Sequence, residues 1–414
     1  MKIEIVKLAK SLLNMTLVSS DDLTKSEDIF DEIKGRNYEP NLCGFKPDLN
    51  QSVKNIADFI EESFNHYDEV VVFACDAISY EYYLSKIQSI SKNYSHQVGV
   101  LSSVFPSTTS VVWPSVITGT FPSEHGIYGT SFLHENLNKN YIWISNTSNH
   151  KGERKVVDDK NLKLNLSGKK TVFEKLKCKN IVSYYLGSHG QGVFNPLRNE
   201  LTKGSIYIKP GDQYSELKKD PQKLVNYFLD KNEELFKKNE GKRLIWNYID
   251  FDDFIHENGY LLLSKLLDWN TIFNFWDKNE KNKLFLFISD HGQVQQEPFD
   301  FSILKASDSN PDLKYNAGGA GRVMYFYPEK GKEDTVYKWV KNIVGKDGIV
   351  FRKDELITDG LIEKNAVGLD RIGSIVAIAT SPKFPSAGNK YKMEHGSISS
   401  EEMFIPLLIQ AGSK

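Results

Sequence analysis

Val70-Val71-Val72-Phe73-Ala74-Cys75-Asp76 is an unbroken apolar run closed by a carboxylate. A short continuous run of this kind reads as a strand buried on both faces, the signature of a parallel sheet. The pattern recurs. Leu284-Phe285-Leu286-Phe287-Ile288 runs into Asp290 and His291, and Leu244-Ile245-Trp246-Asn247-Tyr248-Ile249 precedes Asp252 and His256. In an open parallel sheet the carboxyl ends of neighbouring strands line one crevice, where ligands bind. Thr109 and His395 also stand where a strand should end or a helix begin. Three carboxylates and three imidazoles converging there would repel, or stay badly desolvated, unless cations sat among them. The simplest reading is a two-metal site with a threonine between the ions.

Around these strands the chain alternates in type, which predicts an α/β domain with a mainly parallel central sheet flanked by helices. Tyr80 to Ile90 has helical spacing, Gln97 to Val104 is strand-like, and Ser110 to Thr118 is helical despite Pro114. Phe228 to Lys238 and Gly259 to Lys278 are the strongest helical stretches. Residues 1–66 are polar with weak helical periodicity and read as a peripheral N-terminal helical extension. Residues 135–171 are irregular, with a hairpin suggested around Tyr141-Ile142-Trp143-Ile144. Near 317–363, Gly318-Gly319-Ala320-Gly321 leads into a strand, then a helix from Glu333 to Val344 and a strand at Ile349-Val350-Phe351. That pattern predicts a small inserted α/β subdomain at 317–363, inside a catalytic domain spanning 67–316 and 364–414.

Composition narrows the function classes. The chain has 414 residues, 40% hydrophobic and 26% charged, long enough for one large core plus an insertion. A net charge of −2 argues against a nucleic-acid-binding surface or an anionic membrane as partner. No apolar stretch reaches the roughly 18 residues of a spanning helix, and the N-terminus lacks a signal-peptide core. Three widely spaced cysteines fit a reducing compartment, so the expected location is cytoplasmic.

The most specific stretch is Phe105-Pro106-Ser107-Thr108-Thr109-Ser110, followed by Thr118-Gly119 and Pro122-Ser123-Glu124-His125-Gly126. It resembles the nucleophile region of the type I phosphodiesterase/nucleotide pyrophosphatase family of the alkaline phosphatase superfamily. In that family the catalytic threonine lies nine positions before a Thr-Gly pair, which points to Thr109. Asp76, Asp252-x-x-x-His256-x-x-Gly259, Asp290-His291-Gly292 and His395-Gly396 follow the family's order of motifs. Singly, an Asp-His-Gly is more often an ordinary turn, and an Asp-x-x-x-His a helix-surface pair. Five motifs in order, each beside a predicted element end, are hard to obtain by chance.

The resemblance implies an alkaline-phosphatase-like core and two divalent metal ions, with zinc expected and manganese or iron able to use the same donors. One ion would be held by Asp252, His256 and His395. The other would take Asp76, Asp290 and His291, with Thr109 completing its ligands. Thr109 would then attack a small phosphate ester and form a phospho-threonine intermediate. One position departs from the family: Thr130 stands where an asparagine would help hold a phosphoryl oxygen. The expected activity is a phosphodiesterase. The alternatives are a phosphonate or phosphomonoester hydrolase, or a non-catalytic superfamily member serving as a component of a bacterial complex. For His125, and for Trp113, Tyr128 and Phe132, core packing is the default, although the aromatic residues would also suit a pocket wall. The oligomeric state is not legible in the sequence.

Overall fold

The computed structural model describes residues 2–134, 137, 139–150, 153–157, 166–188, 195–238, 241–297, 303–385 and 391–413. Residues 135, 136, 138, 151, 152 and 158–165 of the polar stretch 135–171 therefore lie outside the described residues. The centre is an eight-stranded sheet in the order Val18–Ser19, Gln97–Ser102, Phe404–Ala411, Lys283–Ile288, Glu69–Cys75, Arg243–Ile249, Val182–Leu186, Ile206–Ile208. Only Val18–Ser19 and Phe404–Ala411 run against their neighbours; the other strands are mutually parallel. This is the alkaline-phosphatase-like α/β core, with helices on both faces.

Period-two alternation explains the burial on both sides. Val71, Phe73 and Cys75 enter one apolar cluster with Phe228, Phe273 and Trp276. Val70, Val72 and Ala74 enter the other, with Phe59, Val111, Trp113 and Phe173. Phe73 meets Trp276 with ring centroids 5.6 Å apart. Fully burying each such side chain stabilises the fold by about 1.5–3 kcal/mol. The register then places the chemistry. Cys75 pairs with Ile249, and Ala74 with Ile288, so Asp76, Asp250–Asp252 and Asp290 leave the sheet at one edge.

Residues 1–66 hold the helices Lys2–Leu13, Ser26–Asn37 and Ile56–Ser63. They are built into the core, not laid on its periphery as the weak periodicity suggested. Ile5, Ala9, Leu13, Ile56, Phe59 and Ile60 are fully buried, and Val18–Ser19 adds an edge strand. The backbone N–H of Ser102 donates to the Gln51 carbonyl at 2.9 Å, which ties this segment to the central sheet.

The long helix expected over 259–278 is two helices, Tyr260–Leu266 and Asn270–Lys278. Leu267 is extended at the break, and Trp269 turns into the core against Phe251 and Phe287. The Asp268 carboxylate accepts the Asn270 N–H at 3.0 Å and so restarts the helix.

The second sheet is antiparallel: Gly348–Arg352, Ile375–Ala379, Val323–Pro328, Leu313–Ala320, Ser131–His134, Lys139–Ile142, Thr147–His150, Glu153–Val156. It contains the strand–helix–strand unit read near 317–363, with helix Glu333–Val344 between parallel strands that Ile375–Ala379 separates. Its strands also come from 131–156 and 375–379, outside that range. Gly318-Gly319-Ala320-Gly321 leads into the strand Val323–Pro328 as expected, and its first three residues also end the strand Leu313–Ala320, with Gly321, φ of 50°, making the turn. Among the described residues, no helix is long and apolar enough to cross a membrane.

Candidate active site

Thr109 is the first residue of helix Thr109–Thr118, which ends at Gly119 in a left-handed conformation with φ of 73°. Its hydroxyl lies 3.4 Å from both carboxylate oxygens of Asp76 and 3.1 Å from His291 Nε2. His291 Nε2 is also 3.6 Å from Asp76 Oδ1 and 3.3 Å from Asp290 Oδ2. On the other side, Asp252 Oδ2 is 3.2 Å from His256 Nε2, and Asp252 Oδ1 is 3.6 Å from His395 Nε2. The His291 and His395 rings stack at 3.9 Å and join the two halves. All seven residues read from the sequence therefore meet at one edge of the sheet.

The backbone fixes the imidazoles. Nδ1 of His256, His291 and His395 faces the carbonyls of Met393 (2.7 Å), Gly292 (3.1 Å) and Ser107 (3.1 Å). Each Nδ1–H donates outward, so in the neutral ring each Nε2 turns a lone pair towards the carboxylates. Two glycines allow this approach. A Cβ on Gly396, whose φ is 116°, would lie 2.2 Å from the Ala320 carbonyl oxygen, and one on Gly292 would lie 2.1 Å from that of Glu401.

Burial and the negative charges of Asp290 and Asp252 push the Asp76 carboxyl well above its ordinary range. Burial likewise raises Asp290. For Asp252 burial acts upward, but the charges of His256 and His395 outweigh it and hold the carboxyl low. Burial and the neighbouring His291 lower His395. Asp290 Oδ2 is buried with no hydrogen-bond donor. An orphaned carboxylate oxygen, acceptor atoms aimed at one another and mixed His/carboxylate chemistry fit divalent cations. The donor atoms form two close clusters: Asp252, His256 and His395, as expected, and Asp76, Asp252 and His291. Asp252 belongs to both, while Asp290 sits beside the second.

A pH-dependent stabilisation follows. The raised carboxyls of Asp76 and Asp290 hold protons that the unfolded chain releases, so metal-free stability falls as pH rises through their folded values. Cations compete with those protons. The stabilisation on adding a divalent ion is expected to be larger at pH 8 than at pH 5.5, reaching about 4 kcal/mol at roughly 1,000 times Kd. Equal gains at both pH values, by scanning calorimetry, would contradict the cluster as an ion site.

Thr130 lies beside the start of the Thr109 helix, its hydroxyl 3.1 Å from Ser110 Oγ and its N–H donating to the Gly319 carbonyl at 3.0 Å. Both residues line a cavity of about 390 Å³ in front of Thr109. Trp113, Tyr128 and Phe132 do not form its wall. They are buried, with Trp113 packed 5.8 Å from Trp246. Ile142, Ile144, Leu197, Met324 and Tyr391 supply the apolar surface, and no lysine or arginine is among its described lining residues. His125 is structural: its ring accepts the Ile127 N–H at Nδ1 and faces Ser115 at 2.9 Å.

Sequence reasoning passed over two supporting residues. The Tyr248 hydroxyl donates a short hydrogen bond to Asp76 Oδ2, and the Gln293 amide donates one to Asp252 Oδ1. Tyr248 lies inside the apolar run that marks its strand, and Gln293 directly follows Asp290-His291-Gly292. Their positions offered a weak signal, since hydrogen bonding across strands has no spacing signature.

The fold is alkaline-phosphatase-like, and the site gathers donors able to hold metal ions. Residues 70–260 match the type I phosphodiesterase / nucleotide pyrophosphatase family model, the family that the motifs resemble. Murine ectonucleotide pyrophosphatase / phosphodiesterase 5 superposes with a TM-score of 0.58 at 18% identity, covering 82% of this chain and 87% of that one. An inactive form of the murine protein, solved in complex with AMP, matches equally well. Phosphonoacetate hydrolase from Sinorhizobium meliloti 1021, in complex with phosphonoacetate, gives a TM-score of 0.53 at 14% identity, with 83% and 89% covered. No curated protein matches the chain.

Proposed function

We propose that this protein hydrolyses phosphodiesters of small molecules, with Thr109 as nucleophile and two divalent ions, most naturally zinc, as cofactors. The observation that carries this reading is the Thr109 hydroxyl at a helix N-terminus, 3.1 Å from His291 Nε2 and 3.4 Å from Asp76, among six metal-binding side chains. Asp252, His256 and His395 would hold one ion, and Asp76, Asp290, His291 and Thr109 the other. When bound, such ions acidify the threonine hydroxyl and neutralise charge on the phosphoryl group.

The chain's own residues do the rest. Asp76, steadied by the Tyr248 hydroxyl, faces the Thr109 hydroxyl and orients it. Thr109 Oγ attacks phosphorus, the bond to the leaving oxygen breaks, and the phosphoryl group becomes esterified to Thr109. Water then attacks that phosphorus and returns the threonine. The partial positive charge at the start of helix Thr109–Thr118 favours the phosphoryl oxygens, and Thr130 offers a further hydroxyl donor. The six donors are committed to metal, and of the other carboxylates lining the cavity Asp250 and Asp253 pair with Lys218 while Glu394 accepts the His395 N–H, so leaving groups of low pKa are favoured.

The cavity also argues for diesters. A monoester dianion, or a phosphonate with a second anionic group, calls for cationic donors, and the described lining has no lysine or arginine. With divalent metal bound, kcat/KM for bis-p-nitrophenyl phosphate is expected to exceed that for p-nitrophenyl phosphate by at least tenfold. The reverse order would favour the phosphomonoesterase reading, and turnover confined to phosphonoacetate the phosphonate one. A non-catalytic role in a complex is disfavoured by the complete donor set. Cysteines Cys43, Cys75 and Cys178 are free, which suits a cytoplasmic location that cell fractionation would test.

A further inference from the structure

Thr130 stands where the family resemblance expects an asparagine, and its hydroxyl reaches one bond less far than an asparagine amide. The structure sets a second hydroxyl beside it. Ser110, the second residue of helix Thr109–Thr118, is 2% exposed, and its Oγ lies 3.1 Å from Thr130 Oγ1. Two separate elements deliver the pair. Ser110 comes with the helix that carries Thr109, whereas Thr130 precedes strand Ser131–His134 of the second sheet and is tied there by its N–H to the Gly319 carbonyl. The approach is close: a Cβ on Gly129 would lie 2.7 Å from that carbonyl oxygen. Both residues line the cavity in front of Thr109.

Each hydroxyl carries one hydrogen and two acceptor positions. Among the described residues neither oxygen has another hydrogen-bond partner, so one hydrogen spans the pair and one is left over. Either oxygen can donate to the other, so the spare hydrogen can leave from either side. Loss of one hydroxyl frees the hydrogen of the other. Val111 and Val112 both donate to the Thr108 carbonyl, which leaves the N–H groups of Thr109 and Ser110 without a helical acceptor at the same end. The spare hydroxyl hydrogen thus joins the positive end of a ten-residue helix, a place suited to an anionic oxygen.

We propose that Ser110 and Thr130 act as one catalytic donor: the pair lends a single hydrogen to a non-bridging phosphoryl oxygen, and Ser110 makes up for the missing asparagine. This rests on the phosphodiesterase reading and deepens it, by adding a residue that the order of motifs does not single out. Because either hydroxyl can supply the hydrogen, each is dispensable singly and the two are essential together.

The test measures kcat/KM for bis-p-nitrophenyl phosphate on metal-loaded full-length protein, and orthovanadate binding by calorimetry. Ser110→Ala and Thr130→Val are each expected to lose about threefold, the worth of an ordinary hydrogen bond. The double variant is expected to lose about 10²-fold or more, the scale of a removed oxyanion donor, and so more than the product of the single losses. Orthovanadate affinity should fall in the same pattern while bound metal stays as in wild type. On a Thr130→Asn background, where an amide supplies the donor alone, Ser110→Ala is expected to have no further effect. Thr130→Ala takes the place of the valine variant if that one fails to fold. Losses that simply multiply, or the whole loss from either single variant, overturn the inference while leaving the phosphodiesterase reading intact. Wild-type protein inactive on the diester overturns that reading itself, and the inference with it.

Discussion

Replacing Thr109 by alanine is expected to lower kcat by about 10⁴-fold or more, the scale seen when a covalent nucleophile is removed, while the fold is retained. The side chain is half-buried, and its described contacts are with Asp76 and His291, not with the core. Thr108 is the cap residue of the same helix, and its side chain makes no capping hydrogen bond. Thr108→Ala should therefore cost far less, within about tenfold in kcat. Wild-type enzyme quenched in acid during turnover should carry a phosphate on Thr109, detected by mass spectrometry, and the alanine variant none. An essential Thr108 with a dispensable Thr109 would move the nucleophile by one position.

Asp252→Ala should empty the site it forms with His256 and His395 and lower kcat by roughly 10³-fold or more, since two-ion catalysis needs both ions. The carboxylate is the one charge that both imidazoles face. Elemental analysis of the purified variant should show about one ion per chain, as for His256→Ala, against two for wild type. Asp76→Ala or His291→Ala should empty the other site preferentially. Wild-type protein with no more than trace divalent metal under several loading conditions would sink the mechanism.

Most of the site was legible because its residues sit at places the backbone itself marks. Asp76 and Asp290 end strands whose apolar runs are plain to read, and Asp252 and His256 stand one helical turn apart. Two other readings failed for a common reason. The break before Trp269 is set by a tryptophan that packs better against Phe251 and Phe287 than in a continuous helix. Helix Ile56–Ser63 joins the core because the sheet face above it needs apolar cover from any segment that can reach it. Trp113, by contrast, takes the core-packing role that was its default reading, against Trp246 and Tyr248.

By itself, then, the sequence determined the parallel α/β core, the order of the motifs and the seven residues of the site, since strand length, helix starts and turn residues are local properties of the chain. Only the tertiary structure decided how those residues divide. Strand register sets Asp76, Asp252 and Asp290 at one level of the sheet, and the turn at Gly321 and the close approach at Gly396 bring His395 in from the far end of the chain. The nearness of Asp252 to both groups of donor atoms, the hydrogen bonds from Tyr248 and Gln293, and a cavity without described cationic lining all arise from contacts between residues distant in sequence. Such contacts depend on how the layers pack, and packing leaves no fixed spacing along the chain to be read.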